Sequence, residues 1–256
     1  MTRYCIRCGS INTNNSNLCE KCGMPLYGES KEKIIFENKI FTDNKKINDG
    51  SEITKNIDYS KLQNGNNLLN RGIIEEKECQ NDFMFILNNK EDLIPIEYKI
   101  LNQFDNSKMI NCKKIKYNGR QALYYKVGNL KSLEKILVTL KPINFLNITK
   151  NILEEIYVIK NNGFLSMTGL DARIKKIYVS ISDNSVYLTY LPIKERLYMD
   201  ESFLEESLRR DLIYIIENTP NIRDINIEEI LYVLKEQECS MTNVLQTIRQ
   251  KISILL

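Results

Sequence analysis

The chain has 256 residues, enough for one full domain and a small second one. Its 36 basic and 33 acidic residues nearly balance, so the net charge gives no strong reason to expect nucleic acid or an anionic membrane as a partner. Histidine is absent, which excludes histidine general bases, Ser-His-Asp and Cys-His nucleophiles, and all histidine-containing metal sites. An enzyme with this composition would have to use carboxylates, lysine, tyrosine or a bound metal.

Two Cys-x-x-Cys pairs, Cys5 with Cys8 and Cys19 with Cys22, lie near the start of the chain. A two-residue gap allows both thiolates of a pair to face one metal ion, and two such pairs complete a tetrahedral Cys₄ site. The alternatives are incidental cysteines or the disulfides of a secreted protein. Because four thiolates leave no open position for a substrate, we expect one structural Zn²⁺ ion in a zinc ribbon over residues 1–27.

The sequence after Met1 shows no apolar signal segment, and the apolar runs are far shorter than the ~20 residues of a membrane helix. We therefore expect a cytoplasmic protein that does not insert into a membrane, and reduced cysteines suit that compartment. The abundance of Asn, Ile and Lys is typical of an AT-rich bacterial genome. The remaining cysteines, Cys79, Cys112 and Cys239, form no motif and are expected to be buried free thiols.

Residues 28–80 are rich in Asn, Lys, Glu and Asp and predict a flexible polar linker. Between residues 31 and 61, charges of both signs occur with few apolar residues, a composition typical of a solvated chain. A basic tail that binds nucleic acid would not be balanced in this way. The apolar residues from Leu68 to Ile74, near the end of this region, are candidates to dock on the domain that follows.

Residues 81–256 show dense hydrophobic periodicity and predict an α+β domain. The expected elements are a strand at 83–87, a helix from Asp92, a hairpin joined by Asn118-Gly119, a short helix at 130–137, a long helix around 145–159, a hairpin at 177–190 and three final helices. The Asn-Gly dipeptide between apolar runs is a strong hairpin signal. This order describes a small mixed β/α lobe followed by a mainly helical lobe.

The three final helices have recognisable start signals. Ser202-x-x-Glu205 and Asn226-x-x-Glu229 have the pattern of capping boxes, or come close to it, and Ser240 precedes the third apolar stripe. We therefore expect these helices to begin near Ser202, Asn226 and Ser240.

Two parts of the chain resemble known bacterial families. The segments YCIRCGS and LCEKCGMPL resemble the short zinc ribbons found at the N-termini of many multidomain proteins. Residues 81–256, with PIEYKILNQF, YYKVGNLKSLEKIL and a hairpin ending in YLP, resemble a family of uncharacterised function that is regarded as a degenerate protein kinase. That family often occurs beside a zinc ribbon or a forkhead-associated domain, although no forkhead-associated domain is present here.

The resemblance implies a kinase-like, two-lobed fold. In that fold a strand leads to helix C, two more strands lead through a hinge to helix D, and the long helix E precedes the catalytic loop and a hairpin. Gly128-Asn129-Leu130 would then be the hinge, and the helix around 145–159 would be helix E.

The parts that a kinase needs to hold ATP are altered in this sequence. The glycines Gly65 and Gly72 do not have the Gly-x-Gly-x-x-Gly spacing of a phosphate-covering loop. The strand FMFIL contains no lysine, and Lys90 lies after it. In a kinase, the strand lysine pairs with a glutamate of helix C, and Glu97 would be that glutamate here. Because the strand lysine is missing, we expect Glu97 to be a surface residue.

The residues that a kinase uses for phosphoryl transfer are altered too. Asp171 aligns with the catalytic base but is expected to be a loop or capping residue, and Lys176 stands where an asparagine would bind Mg²⁺. Tyr190 and Pro192 replace the ends of the Asp-Phe-Gly motif, and the nearby Asp183 is expected to stabilise the hairpin turn.

The sequence therefore predicts a non-catalytic, pseudokinase-like module that binds a protein partner, with a zinc ribbon as a structural element or a second contact surface. One alternative is a nucleic-acid-associated regulator that uses the ribbon for contact. Another is a protein that binds a nucleotide weakly without catalysis.

Overall fold

The computed structural model describes residues 68–89, 92–103, 108–236 and 239–255, and also two short strands near the N-terminus. Strand β1 (Arg3–Tyr4) pairs antiparallel with β2 (Ile11–Asn12). Cys5, Cys8, Cys19 and Cys22 lie outside the described residues, so the zinc ribbon stays a prediction.

Four strands form a small antiparallel sheet in the order β3-β4-β6-β5. They are β3 (Ile74–Cys79), β4 (Asp82–Leu87), β5 (Asn111–Tyr117) and β6 (Arg120–Lys126). The predicted Asn118-Gly119 turn joins β5 to β6, and both residues have positive φ, as a tight hairpin turn requires. Helix α1 (Pro95–Gln103) connects β4 to β5.

Strand β3 lies inside the range 28–80 that the sequence assigned to a linker. All six of its residues pair with β4, from Ile74 opposite Leu87 to Cys79 opposite Asp82. Its sequence, IEEKEC, has the charge content of a linker because β3 is an edge strand of the sheet. The folded region therefore begins before residue 81, and Leu68 is already buried.

The second sheet has the order β7-β9-β10-β8 and is also antiparallel. Its strands are β7 (Lys131–Ser132), β8 (Leu170–Asp171), β9 (Ile177–Val179) and β10 (Val186–Tyr190). The predicted hairpin at 177–190 is confirmed as β9 and β10. Asp183 forms its turn by accepting hydrogen bonds from the Ser185 amide at 3.1 Å and the Ser185 hydroxyl at 2.7 Å.

Five more helices complete the described part of the chain: α2 (Leu133–Ile136), α3 (Pro142–Asn162), α4 (Glu201–Asn218), α5 (Ile225–Lys235) and α6 (Met241–Leu255). The two predicted N-caps, Ser202 and Asn226, each lie two residues C-terminal to the observed N-cap. Asp200 caps α4 by accepting the Phe203 amide, and Asp224 caps α5 by accepting the Ile227 amide. The start of α6 at Ser240 is confirmed, since the Ser240 hydroxyl accepts the Asn243 amide.

One hydrophobic core runs through the small sheet and the helices. In β4, Phe83, Phe85 and Leu87 face this core, while Met84 and Ile86 form a separate apolar cluster on the outer face of the small sheet. The α+β class is confirmed by two four-stranded antiparallel sheets and six α-helices in the described residues. Across these residues, we find no helix that combines the length and the apolar character needed to cross a membrane.

Candidate functional site

Aromatic rings fill the interface between the inner face of the small sheet and strand β9. The ring of Phe83 on β4 stacks with Tyr125 of β6 and with Tyr178 of β9, with centroid distances of 4.8 Å and 5.8 Å and nearly parallel planes. The strand register explains the first contact, because Phe83 is directly opposite Tyr125. Phe85 meets both Phe83 and Tyr125 edge-on. These rings occupy the space between the two sheets.

Lys176 lies against this ring stack, just before β9. Its ammonium is 3.6 Å from the centroid of Phe83 and 2.6 Å from Oε1 of Glu76 on β3. The Lys176 side chain is only 4% exposed. Burial alone would raise the pKa of Glu76, but the charges of Lys176 and Arg173 outweigh it and bring that pKa below its ordinary value. Lys176 is thus a buried cation paired to the small sheet.

Asp171, which the sequence predicted to be a loop or capping residue, is buried and belongs to the same charged network. It accepts a hydrogen bond from Nε of Arg173 at 2.7 Å, and Nη2 of Arg173 contacts its second oxygen. The same guanidinium reaches Glu76 at 3.3 Å. The expectation of a loop or capping residue is wrong, because this carboxylate lies in a strand and is neutralised by an arginine two residues later.

A second ion pair ties α1 to the segment after β10. Glu97 is 6% exposed, and its two oxygens accept hydrogen bonds from Arg196 at 2.6 Å and 3.0 Å. The expectation of a surface glutamate is therefore wrong. The spacing of Glu97 and Leu101 was a usable signal, since residues four apart share a helix face and both are buried in α1. Ile96 of the same helix is exposed.

Tyr190, at the end of β10, is fully buried. Its carbonyl oxygen accepts the Tyr125 hydroxyl at 2.7 Å, and its own hydroxyl accepts the Ser166 amide at 3.1 Å. Burial, reinforced by Glu97, raises the pKa of Tyr190, so the phenol stays protonated. Gly169 packs directly on the ring, where an added Cβ would lie 2.8 Å from it.

The chain after Tyr190 crosses to the start of α1. We call residues 192–200 the strap. The Pro192 carbonyl accepts the Ile94 amide at 2.8 Å, and the Lys194 amide donates to the Asp92 carbonyl at 2.7 Å. This extended pairing explains why α1 begins at Pro95 and not at Asp92, as the sequence predicted.

Three acids described above each have an internal cation: Asp171 has Arg173, Glu76 has Lys176, and Glu97 has Arg196. No cluster of three or more potential metal-ligating side chains is found where the structure describes the chain. An incoming Mg²⁺ or phosphate would have to displace one of these buried pairs, which is costly.

The three cysteines outside the Cys-x-x-Cys pairs are free, as predicted. Cys112 and Cys239 are buried, whereas Cys79 at the end of β3 is only half-buried. Burial raises the pKa of Cys112 to about 12, so this thiol is not a nucleophile at neutral pH.

No protein-family model matches the chain, and no curated protein sequence matches it either.

Proposed function

We propose that the described α+β domain is a non-catalytic, pseudokinase-like module that binds a protein partner, and that it is joined to a structural zinc ribbon. The observation that carries this proposal is the filled interface between the two sheets. Where a kinase would hold a nucleotide, this protein has stacked rings and paired charges.

The order of elements supports the kinase-like part of the proposal. Strand β4 leads to α1, the hairpin β5–β6 leads through Gly128 to the short helix α2, and the long helix α3 precedes the hairpin β9–β10. This is the order that the family resemblance implies, with α1 in the place of helix C and α3 in the place of helix E.

The contacts support the loss of phosphoryl transfer. That reaction needs a lysine on the phosphates, carboxylates on Mg²⁺ and a base for the substrate hydroxyl. Here the helix glutamate Glu97 is bound by Arg196, the base position Asp171 is bound by Arg173, and the metal position is the cation Lys176. The proposed module therefore keeps the architecture and uses its charged residues to hold the interface closed.

The zinc ribbon is proposed from the spacing of its four cysteines. Strands β1 and β2 pair with each other, and residues 5–10, which include Cys5 and Cys8, connect them. A hairpin with a Cys-x-x-Cys connection is suited to present two thiolates to one metal ion. The reducing cytoplasm, our proposed location, keeps such thiolates available. A ribbon and a domain on one chain can raise the avidity for a shared partner.

Affinity capture with the full chain, followed by mass spectrometry, tests the proposed interaction. We expect at least one protein captured in near-stoichiometric amount, before and after nuclease treatment. Capture that disappears after nuclease treatment would instead favour the nucleic-acid alternative, and steeply salt-dependent binding to nucleic acid would confirm that alternative.

Metal analysis of the purified chain tests the ribbon separately. We expect one zinc ion per chain and a loss of the metal in the variant Cys5→Ser, Cys8→Ser. Well under one zinc per chain in the unchanged protein would overturn this part of the proposal.

A further inference from the structure

The outer face of the small sheet is more apolar than a solvated sheet face. An antiparallel sheet with one face in water normally alternates apolar and polar residues along each strand. Strand β4 does not, because Met84 and Ile86 on the outer face are buried, as is Ala122 of the neighbouring strand β6. Ile115 and Tyr124 pack against them and stay partly exposed. Where the structure describes the chain, every member of this cluster belongs to the small sheet.

A lysine lies at each edge of this face. Lys77 on β3 is directly opposite Met84, which is opposite Tyr124. Tyr124 is in turn opposite Lys113 on the other edge strand, β5. Residues directly opposite each other share a face, so this row has one exposed lysine at each end and an apolar and aromatic centre. With strands about 4.8 Å apart, the Cα atoms of the two lysines are about 14 Å apart.

The acids of the outer face are already held by other groups. Both oxygens of Glu75 accept hydrogen bonds from Arg120, at 2.5 Å and 2.7 Å. Asp82, at the start of β4, accepts the Val127 amide at 2.8 Å and the Tyr124 hydroxyl. The two edge lysines therefore have no carboxylate partner among the described residues of this face.

Lys77 extends across the sheet onto the ring of Tyr117. Its ammonium is 4.6 Å from the ring centroid and contacts the phenol hydroxyl. Because β3 and β5 are the two edges of the sheet, this contact spans β4 and β6 and shields the apolar cluster between them. A neutral phenol is a weaker partner for an ammonium than a carboxylate, so a carboxylate brought to this face can replace it.

We propose that the outer face of the small sheet is the docking surface for an acidic amphipathic helix of the partner protein. Carboxylates of the helix pair with Lys77 and Lys113, and its apolar side contacts Ile115, Tyr117 and Tyr124. A helix is an ordinary second layer on a sheet face that carries apolar residues. A second copy of this chain does not suit the same face, because two basic faces repel each other. This inference rests on the proposed partner binding and adds its surface and its chemistry.

Fluorescence polarisation with three labelled probes tests the proposal on the full chain. The first is a capped peptide of about 14 residues, about 20 Å long as a helix, with leucines at helical spacing on one side and glutamates on the other. The second has lysines in place of the glutamates, and the third is a single-stranded oligothymidylate.

We expect saturable binding of the acidic peptide alone, and its affinity should fall as the salt concentration rises. The absence of saturable binding of the acidic peptide would overturn the proposal. Equal or tighter binding of the oligothymidylate would overturn it too, in favour of the nucleic-acid alternative.

Charge reversal locates the site. The variant Lys77→Glu, Lys113→Glu should weaken binding of the acidic peptide at least about tenfold, because both attractions become repulsions. The matched control Lys135→Glu, Lys141→Glu changes two exposed lysines outside the small sheet and should alter the affinity less than about twofold. Equal effects of the two double changes would contradict the proposed surface.

Amide chemical-shift mapping of the unchanged chain keeps the test independent of any variant that fails to fold. The acidic peptide should shift the amides of Ile115, Tyr117 and Tyr124 most. Shifts centred on α4, α5 and α6 would place the peptide elsewhere and overturn the proposal.

Failure of this inference is distinguishable from failure of the proposed function. If the variant Lys77→Glu, Lys113→Glu captures the same protein as the unchanged chain in the affinity experiment above, the proposed function stands and the docking surface is wrong.

Discussion

The two faces of the small sheet carry the same kind of ion pair in very different surroundings. On the inner face, Lys176 and Glu76 have side chains that are 4% and 14% exposed. On the outer face, Arg120 binds Glu75 in a bidentate pair, with an Nη2–Oε2 distance of 2.7 Å, but the side chains are 38% and 52% exposed. The outer pair has two short hydrogen bonds and the inner pair has one. A larger contribution of the inner pair to stability would therefore come from its burial and not from its hydrogen-bond geometry.

Burial decides what each pair contributes. Removing one partner of a buried pair leaves an uncompensated charge away from water and costs about 3–5 kcal/mol, whereas an exposed pair contributes about 0–1 kcal/mol. The inner pair therefore fixes how the small sheet meets the second sheet at β9, and the outer pair is close to neutral.

The largest expected effect comes from Lys176→Met. This change leaves Glu76 with only the more distant Arg173 and should lower the free energy of unfolding by about 3 kcal/mol or more. Urea denaturation measures it, with Arg120→Met on the outer face as the matched control. The double change Lys176→Met, Glu76→Gln should recover much of the loss. Equal effects of Lys176→Met and Arg120→Met would contradict the comparison.

The variant Glu97→Gln should have the next largest effect, a loss of about 1.5–3 kcal/mol, because the half-buried guanidinium of Arg196 would lose a charged partner. Hydrogen exchange in α1 should increase together with exchange in the strap. Faster exchange in α1 without any change in the strap would show that the pair does not couple them.

Gly169→Ala tests the tight packing under Tyr190. The new methyl group would lie 2.8 Å from the ring and should cost about 1–3 kcal/mol in thermal or chemical unfolding. The double variant Gly169→Ala, Tyr190→Leu should lose less than the sum of its two single changes, since the smaller side chain makes room. Strict additivity would mean that the ring and the methyl group do not meet.

The smallest expected effect is that of Arg120→Ala, close to the error of the urea measurement and smaller still at high salt. A loss similar to that of Lys176→Met, measured in the same urea series, would show that exposure does not separate the two faces.

Local signals predicted much of the fold. Asn118-Gly119 located the β5–β6 hairpin, the repeat of Phe145, Ile148, Ile152 and Ile156 located α3, and Ser240 located the start of α6. These features depend on residues that are neighbours in sequence or on one helix face. Strand β3 was missed because an edge strand with one buried face can be as charged as a linker.

The site was less predictable because its contacts connect distant residues. Glu97 and Arg196 are 99 residues apart, and Arg173 and Glu76 are 97 apart. The sequence did not indicate that Glu76, Glu97 and Asp171 would each pair with a buried or half-buried cation. Only the three-dimensional arrangement supplies those partners.

Thermal unfolding of the full chain with and without millimolar Mg·ATP tests the central claim most directly. A nucleotide that binds the folded state raises the unfolding temperature by mass action. Because rings and ion pairs fill the interface between the sheets, we expect no shift at any nucleotide concentration. A saturable rise in the unfolding temperature that Lys176→Met changes would contradict the claim that this interface is closed to nucleotide.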